Sequence, residues 1–384
     1  MYKISTLNKI SEAGLRLFSD RYSVSDGTDG FEGSAGLLVR SAAMHDMKFD
    51  DELIGIARAG AGVNNIPLDR CADQGIVVFN TPGANANAVK ELIIGALIMS
   101  ARNLAEGIEW EKTLSDDNDM SKKVEKGKAQ FAGTEIKGKT LGVVGLGAIG
   151  ALVANTAVKL GIKVSGYDPY IDVKSALRLD PSVKIVQELE KLLPECDYVT
   201  LHLPSTDSTN GMFDAKLFSY FKNGAVLLNF SRDKLVNETD LLAALDSGRL
   251  SRYTTDFATP GILGRDGVVC TPHLGASTAE AEDNCASMAA EELIDLIENG
   301  NVMNSVNFPS VDLGTRSAGE TRIVILTKDV DDPVSLAVKM LAGVRIRQVT
   351  GSARGSYGYA LASTDEDVTD VAKADGVTKV RIIK

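Results

Sequence analysis

Thr140-Leu141-Gly142-Val143-Val144-Gly145-Leu146-Gly147-Ala148-Ile149-Gly150 reads as a buried strand, a glycine turn and the start of a helix. Gly145, Gly147 and Gly150 stand at G-x-G-x-x-G spacing. That spacing gives a tight turn, close approach of backbone to a pyrophosphate, and close packing of helix on strand. The helix start at Ala148 and Ile149 offers free N–H groups and the positive end of the dipole to the phosphates. The segment from Ile162 to Tyr167 reads as the next strand, and Asp168 ends it, 18 residues after Gly150. A carboxylate there accepts both ribose hydroxyls of NAD and repels the 2′-phosphate of NADP, so NAD is the expected cofactor.

Before the turn, strand-like runs alternate with helical ones. The strand candidates are Met1 to Leu7, Gly36 to Arg40, Leu53 to Ala57 and Ile76 to Phe79. This is the pattern of an α/β domain with a mostly parallel sheet. Asn85 to Asn103 carries apolar residues at Val89, Leu92, Ile93, Ala96 and Leu97 and predicts a long helix bridging two domains. After the turn, Val183 to Val186, Tyr198 to His202, Ala225 to Asn229, Arg252 to Thr255 and Val268 to Thr271 predict five further strands. With the first two they make a seven-stranded doubly wound sheet. A second long helix is expected from Ala276 to Asn299. If both helices cross between domains, the first domain is discontinuous. Its pieces are residues 1–85 and 276–310, and the Rossmann cofactor domain is residues 86–275. Residues 311–320 read as a linker. Residues 321–384 read β-α-β-β-α-β, with the second helix at Glu366 to Ala374, which predicts a small ferredoxin-like domain. The fold class is therefore α/β: a Rossmann-like domain inserted into a flavodoxin-like one, plus a C-terminal ferredoxin-like module.

The composition narrows the partners. A chain of 384 residues with 44% hydrophobic and 24% charged residues is ordinary for a globular protein of two or three domains. Its net charge of −11 argues against nucleic acid and anionic membranes. An anionic substrate must then meet a local basic pocket. Cys71, Cys196, Cys270 and Cys285 lack C-x-x-C spacing, so neither zinc nor a disulfide framework is indicated, and no metal is expected. Without a signal peptide or a run long enough to span a bilayer, the expectation is a cytoplasmic protein. Trp110 is expected at a subunit contact.

Asn229-Phe230-Ser231-Arg232, Thr255-Asp256 and Thr271-Pro272-His273-Leu274-Gly275-Ala276 each follow a predicted strand. Strand C-termini are where open α/β sheets bind ligands, so Arg232, Asp256 and His273 are expected to converge on one crevice. An arginine and a histidine beside a dinucleotide suit hydride transfer on an alcohol that bears a carboxylate.

On the glycine turn with Asp168, Leu201-His202-Leu203-Pro204, Asn229 to Arg232, and Pro272 to Thr278, taken in order, the chain resembles the D-isomer-specific 2-hydroxyacid dehydrogenases over residues 1–310. The resemblance implies that Arg232 holds the substrate carboxylate and C2 oxygen by paired donors. It implies His273 as acid and base at the C2 hydroxyl and Asp256 as anchor of the nicotinamide carboxamide. Leu203, Pro204 and Thr209 then line the adenine and phosphate side. Phe230 lies beside the nicotinamide, and Ser231, Gly275 and Ala276 complete the cofactor set. Arg40 and Ser41 resemble the pair that grips a phosphorylated substrate. Gly62, within Ala59 to Asn64, offers backbone N–H groups to its carboxylate, Asn85 adds a contact, and Lys90 adds charge for the phosphate. His202 reads as a structural neighbour of the cofactor. The implied activity is NAD-dependent oxidation of 3-phospho-D-glycerate to 3-phosphohydroxypyruvate in serine synthesis, by a homodimer or homotetramer. The alternatives are a reductase for glyoxylate or hydroxypyruvate and a non-catalytic NAD-sensing protein on the same fold.

Three departures stand out. The family glutamate that pairs with the histidine is missing, and Asp266 is the only carboxylate between Asp256 and His273. Asp233 stands where glycine is usual; if the position needs a positive φ, aspartate tolerates it better than most residues, at some cost. The tail resembles an ACT regulatory domain, yet Asp331-Asp332-Pro333-Val334 keeps only the proline of the serine-binding loop, so serine feedback is not expected.

Overall fold

Short apolar runs separated by glycine-containing turns form two parallel sheets and one antiparallel sheet in the computed structural model, which describes residues 1–115 and 118–384. The chain divides into two compact units, Met1–Asn85 with Ala279–Lys384, and Ala86–Thr278. Six helices bear on packing and on the site: α1 Ala86–Arg102, α2 Leu104–Lys112, α3 Ala148–Lys159, α4 Glu238–Asp246, α5 Ala279–Asn299 and α6 Pro333–Met340.

In the first unit the strands β1 (Tyr2–Thr6), β2 (Tyr22–Asp26), β3 (Gly36–Val39), β4 (Gly55–Arg58) and β5 (Val77–Asn80) form a parallel sheet of order β2-β1-β3-β4-β5. β2 was not among the expected strands. Its residues Tyr-Ser-Val-Ser-Asp are mostly exposed on an edge, so they carry no continuous apolar run. Helix α5 lays Cys285, Ala286, Ala289, Leu293, Leu296 and Ile297 on the core of this sheet. That face follows the i, i+3, i+4 spacing of its apolar residues.

The C-terminal strands β13 (Thr321–Lys328), β14 (Gln348–Arg354), β15 (Tyr357–Thr364) and β16 (Val377–Ile383) form an antiparallel sheet of order β14-β15-β13-β16. Two expectations for this tail are corrected. The hairpin lies a few residues later than read, because Gly355 is not a strand residue. Its φ of +58° opens the two-residue loop between Arg354 and Tyr357. The expected second helix at Glu366–Ala374 does not form. Its centre, Asp367-Val368-Thr369-Asp370-Val371, is made of poor helix formers, and Val368 and Val371 reach the sheet core from irregular backbone instead.

The segment read as a linker is pinned. Val311 bridges to Val302. The buried guanidinium of Arg322 pairs with Glu320 at 2.9 Å and donates to the carbonyls of Asn299 (2.9 Å), Gly314 (2.8 Å) and Leu313 (3.2 Å). Tyr359 Oη donates to Gly300 O at 2.8 Å, and Lys379 Nζ donates to Leu53 O at 2.8 Å. Val324, Tyr359, Leu361 and Ile383 belong to the same core as Ile4, Phe79 and Leu293. The tail thus shares its apolar interior with the first sheet.

Glu292 on α5 is buried in this unit. Asn304 Nδ2 donates to its Oε1 at 2.8 Å, while Oε2 has no partner among the described residues. Burial pushes its carboxyl from 4.5 up to about 8. The folded state therefore holds a proton that the unfolded chain has released. Stability falls as pH rises from about 4.5 through about 8 and the contribution is gone above that. Glu292→Gln should flatten this limb and raise stability above its upper end by about 1–3 kcal/mol. Urea unfolding across the pH range would reject the assignment if wild type and variant ran parallel.

In the second unit β6 (Thr140–Val144), β7 (Lys163–Tyr167), β8 (Lys184–Ile185), β9 (Tyr198–Leu201), β10 (Ala225–Asn229), β11 (Leu250–Thr255) and β12 (Val268–Cys270) form the expected seven-stranded parallel sheet, of order β12-β11-β10-β9-β6-β7-β8. The order reverses between β6 and β9. That reversal opens a crevice at the strand C-termini. Trp110 on α2 packs within this unit, its ring 5.2 Å from that of Phe131 and against Gly127, where a Cβ would meet the indole at 2.5 Å. Among the described residues no helix is long and apolar enough to cross a membrane.

Candidate active site

The glycine turn joins β6 to α3 at the reversal of strand order. Gly145 has φ +93°, and a Cβ there would lie 2.5 Å from His202 O, so only glycine fits. A Cβ on Gly150 would collide with Gly145 O, which makes the third glycine the condition for helix α3 to start so close to the turn. Gly147 differs: nothing lies within 4 Å of the place its Cβ would take, and Gly147 and Ala148 are exposed. Gly147 is the N-cap of α3 and offers no side chain to the first N–H groups. The result is an open, uncapped helix start ready for an anion.

Asp168 follows β7 as expected. Its Oδ2 accepts from Leu146 N and its Oδ1 from Tyr170 N, both at 2.9 Å. Each oxygen keeps lone pairs for ribose hydroxyls. His202, after β9, sits under the turn with Nε2 3.1 Å from Thr200 Oγ1. Burial pushes its pKa down to about 3, so it stays neutral and structural. Leu203 closes on the turn, 3.2 Å from the place of a Gly145 Cβ. Thr209 Oγ1 donates to Pro204 O at 2.6 Å and accepts from Thr206 N at 2.9 Å, which shapes the Pro204–Thr209 loop.

The ends of β10, β11 and β12 carry the remaining groups. Asn229 is buried, and its amide donates to Arg232 O (2.9 Å) and to Tyr253 Oη (3.2 Å), while its Oδ1 accepts from Ser231 N (3.2 Å). Ser231 Oγ donates to Leu201 O at 2.5 Å. These bonds fix the short loop from which Arg232 projects, half-buried, with Nη1 donating to Ser231 O at 2.6 Å. Phe230 is 6% exposed, with its side chain in the core beside Val226 and Leu228. Asp233 follows Arg232. It opens a one-turn 3₁₀ helix, Asp233–Leu235, and has no positive φ, so its replacement of glycine brings no strain.

Asp256 is buried at the end of β11. Its Oδ2 accepts from Gly275 N at 3.3 Å, and its Oδ1 has no partner among the described residues. Burial raises its pKa, and the neighbouring charges of His273 and then Arg232 draw it back down. The charges of His273 and Arg232 both bear on Asp256. The His273 ring is exposed and lies 4.7 Å from the ring of Phe257. No hydrogen bond reaches it among the described residues, from Asp266 or any other carboxylate. Gly275 packs where a Cβ would approach Val89 of α1 at 3.5 Å, next to Lys90, whose ammonium lies 3.5 Å from Glu91. Ala276 is half-buried in the following turn.

In the first unit, Arg40 and Ser41, the Gly62 loop and Asn85 follow β3, β4 and β5. The parallel register of Val39 with Arg58 and of Arg58 with Asn80 brings all three loops to one sheet edge. Asn8, which sequence reasoning missed, organises them. Its Oδ1 accepts from the N–H groups of Arg40 (2.9 Å), Ser41 (2.9 Å) and Ala42 (3.0 Å), so these amides are spent and only the side chains remain for a ligand. Arg40 Nη1 meets Glu282 at 2.8 Å, in an exposed pair. The Asn80 side chain donates to Ala61 O at 2.6 Å and steadies the loop that carries Gly62.

The residues present fit a dinucleotide: an uncapped helix start, an open glycine, an acid past the second strand and a buried carboxylate oxygen in want of a donor. Residues 94–275 match the family described as D-isomer specific 2-hydroxyacid dehydrogenase, NAD binding domain. Over that segment the chain is similar to the NAD-binding domain of this family. It is 34% identical over 282 residues to the D-3-phosphoglycerate dehydrogenase of Homo sapiens, covering 71% of this chain and 50% of that one. It is 35% identical over 284 residues to the enzyme of the same name from Synechocystis, covering 72% and 49%. The chain spans about half the length of these curated relatives. The NAD⁺-bound 3-phosphoglycerate dehydrogenase structure from Entamoeba histolytica superposes with a TM-score of 0.62 at 29% identity, over 80% of this chain and 98% of that one.

Proposed function

We propose that the protein oxidises 3-phospho-D-glycerate to 3-phosphohydroxypyruvate with NAD, and runs the reverse reduction with NADH. The observation that carries the reading is the set of Arg232, His273 and a partnerless Asp256 oxygen at adjoining strand ends beside the dinucleotide turn. The names of the relatives supply the substrate class. NAD, when bound, accepts the hydride that leaves C2. His273 takes the C2 hydroxyl proton in oxidation and returns it in reduction. Arg232 holds the C2 oxygen and the carboxylate through its planar fork. Asp256 Oδ1, which has no partner among the described residues, would hold the carboxamide of NAD.

Turn residues Gly145, Gly147, Ala148, Ile149 and Gly150, with Asp168, are assigned to the pyrophosphate and ribose. Leu203, Pro204, Thr209, Gly275 and Ala276 are assigned to the walls. In the first unit Arg40, Ser41, Gly62 and Asn85 are assigned to the substrate's charged groups, and Lys90 of the second unit to its phosphate. We read residues 1–85 with 276–310 as a substrate domain, 86–275 as the cofactor domain and 321–384 as an ACT-like module lacking one helix. The four cysteines are free thiols, in keeping with a cytoplasmic protein, and a homodimer or homotetramer is the expected assembly.

In a spectrophotometric assay the protein should oxidise NADH in the presence of 3-phosphohydroxypyruvate. Absence of turnover by protein that still binds NADH would overturn the reading. The exposed pair of Arg40 with Glu282 is weak enough for a phosphate to displace it. Arg40→Ala should raise KM for the phosphorylated substrate by about 10- to 100-fold, the worth of a charged hydrogen bond, and leave kcat within threefold. An unchanged KM would remove Arg40 from the site.

A further inference from the structure

The interval before His273 is short of acids, and the structure puts an aromatic ring beside the histidine instead. Phe257 and His273 have ring centroids 4.7 Å apart and planes inclined at 55°. The backbone holds Phe257 firmly: its N–H donates to Thr255 Oγ1 at 3.1 Å, and that hydroxyl donates to Asn229 O at 2.8 Å. The backbone of Phe257 is therefore anchored to the ends of β10 and β11, the strands that also present Arg232 and Asp256. The residues after it cannot drift, because Ile262 is buried in the core of the unit and Thr259 hydrogen-bonds Glu238 at the start of α4.

We propose that Phe257 is the positioning residue of His273, fixing the imidazole by ring packing where a carboxylate partner is missing. The proposal rests on the reading of His273 as acid and base. A tilted aromatic contact at this separation is attractive and restricts the plane of both rings. It accepts no proton from the imidazole, so it orients the ring by packing alone. Asp256 lies in electrostatic reach of both the imidazole and Arg232. Neither Asp256 nor Arg232 makes a hydrogen bond to the ring.

The chain has three histidines, so histidine-selective labelling gives a spectrum simple enough to assign with His273→Ala. The ring protons of His273 should carry an upfield shift from the phenyl in the wild type and in Phe257→Tyr, and lose it in Phe257→Leu and Phe257→Ala. Turnover should follow the ring: kcat falls about 3- to 10-fold in the Leu and Ala variants, KM stays within twofold, and the Tyr variant keeps most of the wild-type rate. Phe257→Leu keeps the apolar volume, which guards against a folding failure of the alanine variant. A Phe257→Leu enzyme with wild-type kcat, a loss confined to KM, or unmoved His273 resonances would overturn the proposal. The resonance measurement needs no substrate. If His273→Ala keeps full activity, the acid and base reading falls by itself, and the ring shift still decides whether Phe257 holds the histidine.

Discussion

His273→Ala is expected to lower kcat by about two to four orders of magnitude, the usual worth of a positioned general acid and base. NADH affinity should stay within about twofold, because the groups assigned to the dinucleotide lie on the glycine turn, Asp168 and Asp256, and none of them depends on the imidazole for its place. Asp256 keeps its bond from Gly275 N, and Arg232 keeps its loop through Asn229. The variant therefore separates binding from chemistry. Its cost should fall on kcat and kcat/KM alike, as for an interaction made only in the transition state. NADH fluorescence titration beside steady-state reduction of 3-phosphohydroxypyruvate gives both quantities. A loss of less than tenfold in kcat, or a matching loss of NADH affinity, would remove His273 from its role.

The second large effect is on stability. Arg322→Ala should destabilise the unit formed by residues 1–85 and 279–384 by about 3–5 kcal/mol, the range for breaking a buried charge pair. The substitution takes the guanidinium from Glu320, whose largely buried carboxylate keeps only Ser317 N as a donor among the described residues, and removes a donor from three carbonyls, those of Asn299, Leu313 and Gly314, of which Gly314 keeps Asn301 Nδ2. Those carbonyls belong to the stretch that connects α5 to β13, so the tail's anchoring fails with them. Replacing both partners by apolar residues, Arg322→Met with Glu320→Leu, should recover much of the loss, since no lone charge is then left inside. Urea unfolding of the single and double variants decides between these accounts. A single-variant loss under 1 kcal/mol would mean that water replaces the guanidinium at no great cost.

Reading the sequence went furthest where local chemistry is strict. Gly145 and Gly150 have no substitute at a turn where a Cβ would strike backbone, so spacing alone located the strand, the turn and the helix start. Buried parallel strands leave continuous apolar runs, which is why central strands such as β9 and β10 were legible and the exposed edge strand β2 was not. The tail shows the opposite limit. Val368 and Val371 have helical spacing, yet the aspartates and threonine around them favour irregular backbone, and contact with the sheet is satisfied without a helix.

The sequence by itself determined the α/β class, the NAD-binding turn with Asp168, and the residue types that can carry hydride chemistry, because glycine spacing and strand-end polar residues are local requirements. Only the tertiary structure decided which of those residues meet. Asn229 as the brace of Arg232, Asn8 as the acceptor for three amides, the partnerless oxygen of Asp256 and the phenyl ring beside His273 all depend on parallel register. Register brings together residues far apart in the chain, and no local pattern records it.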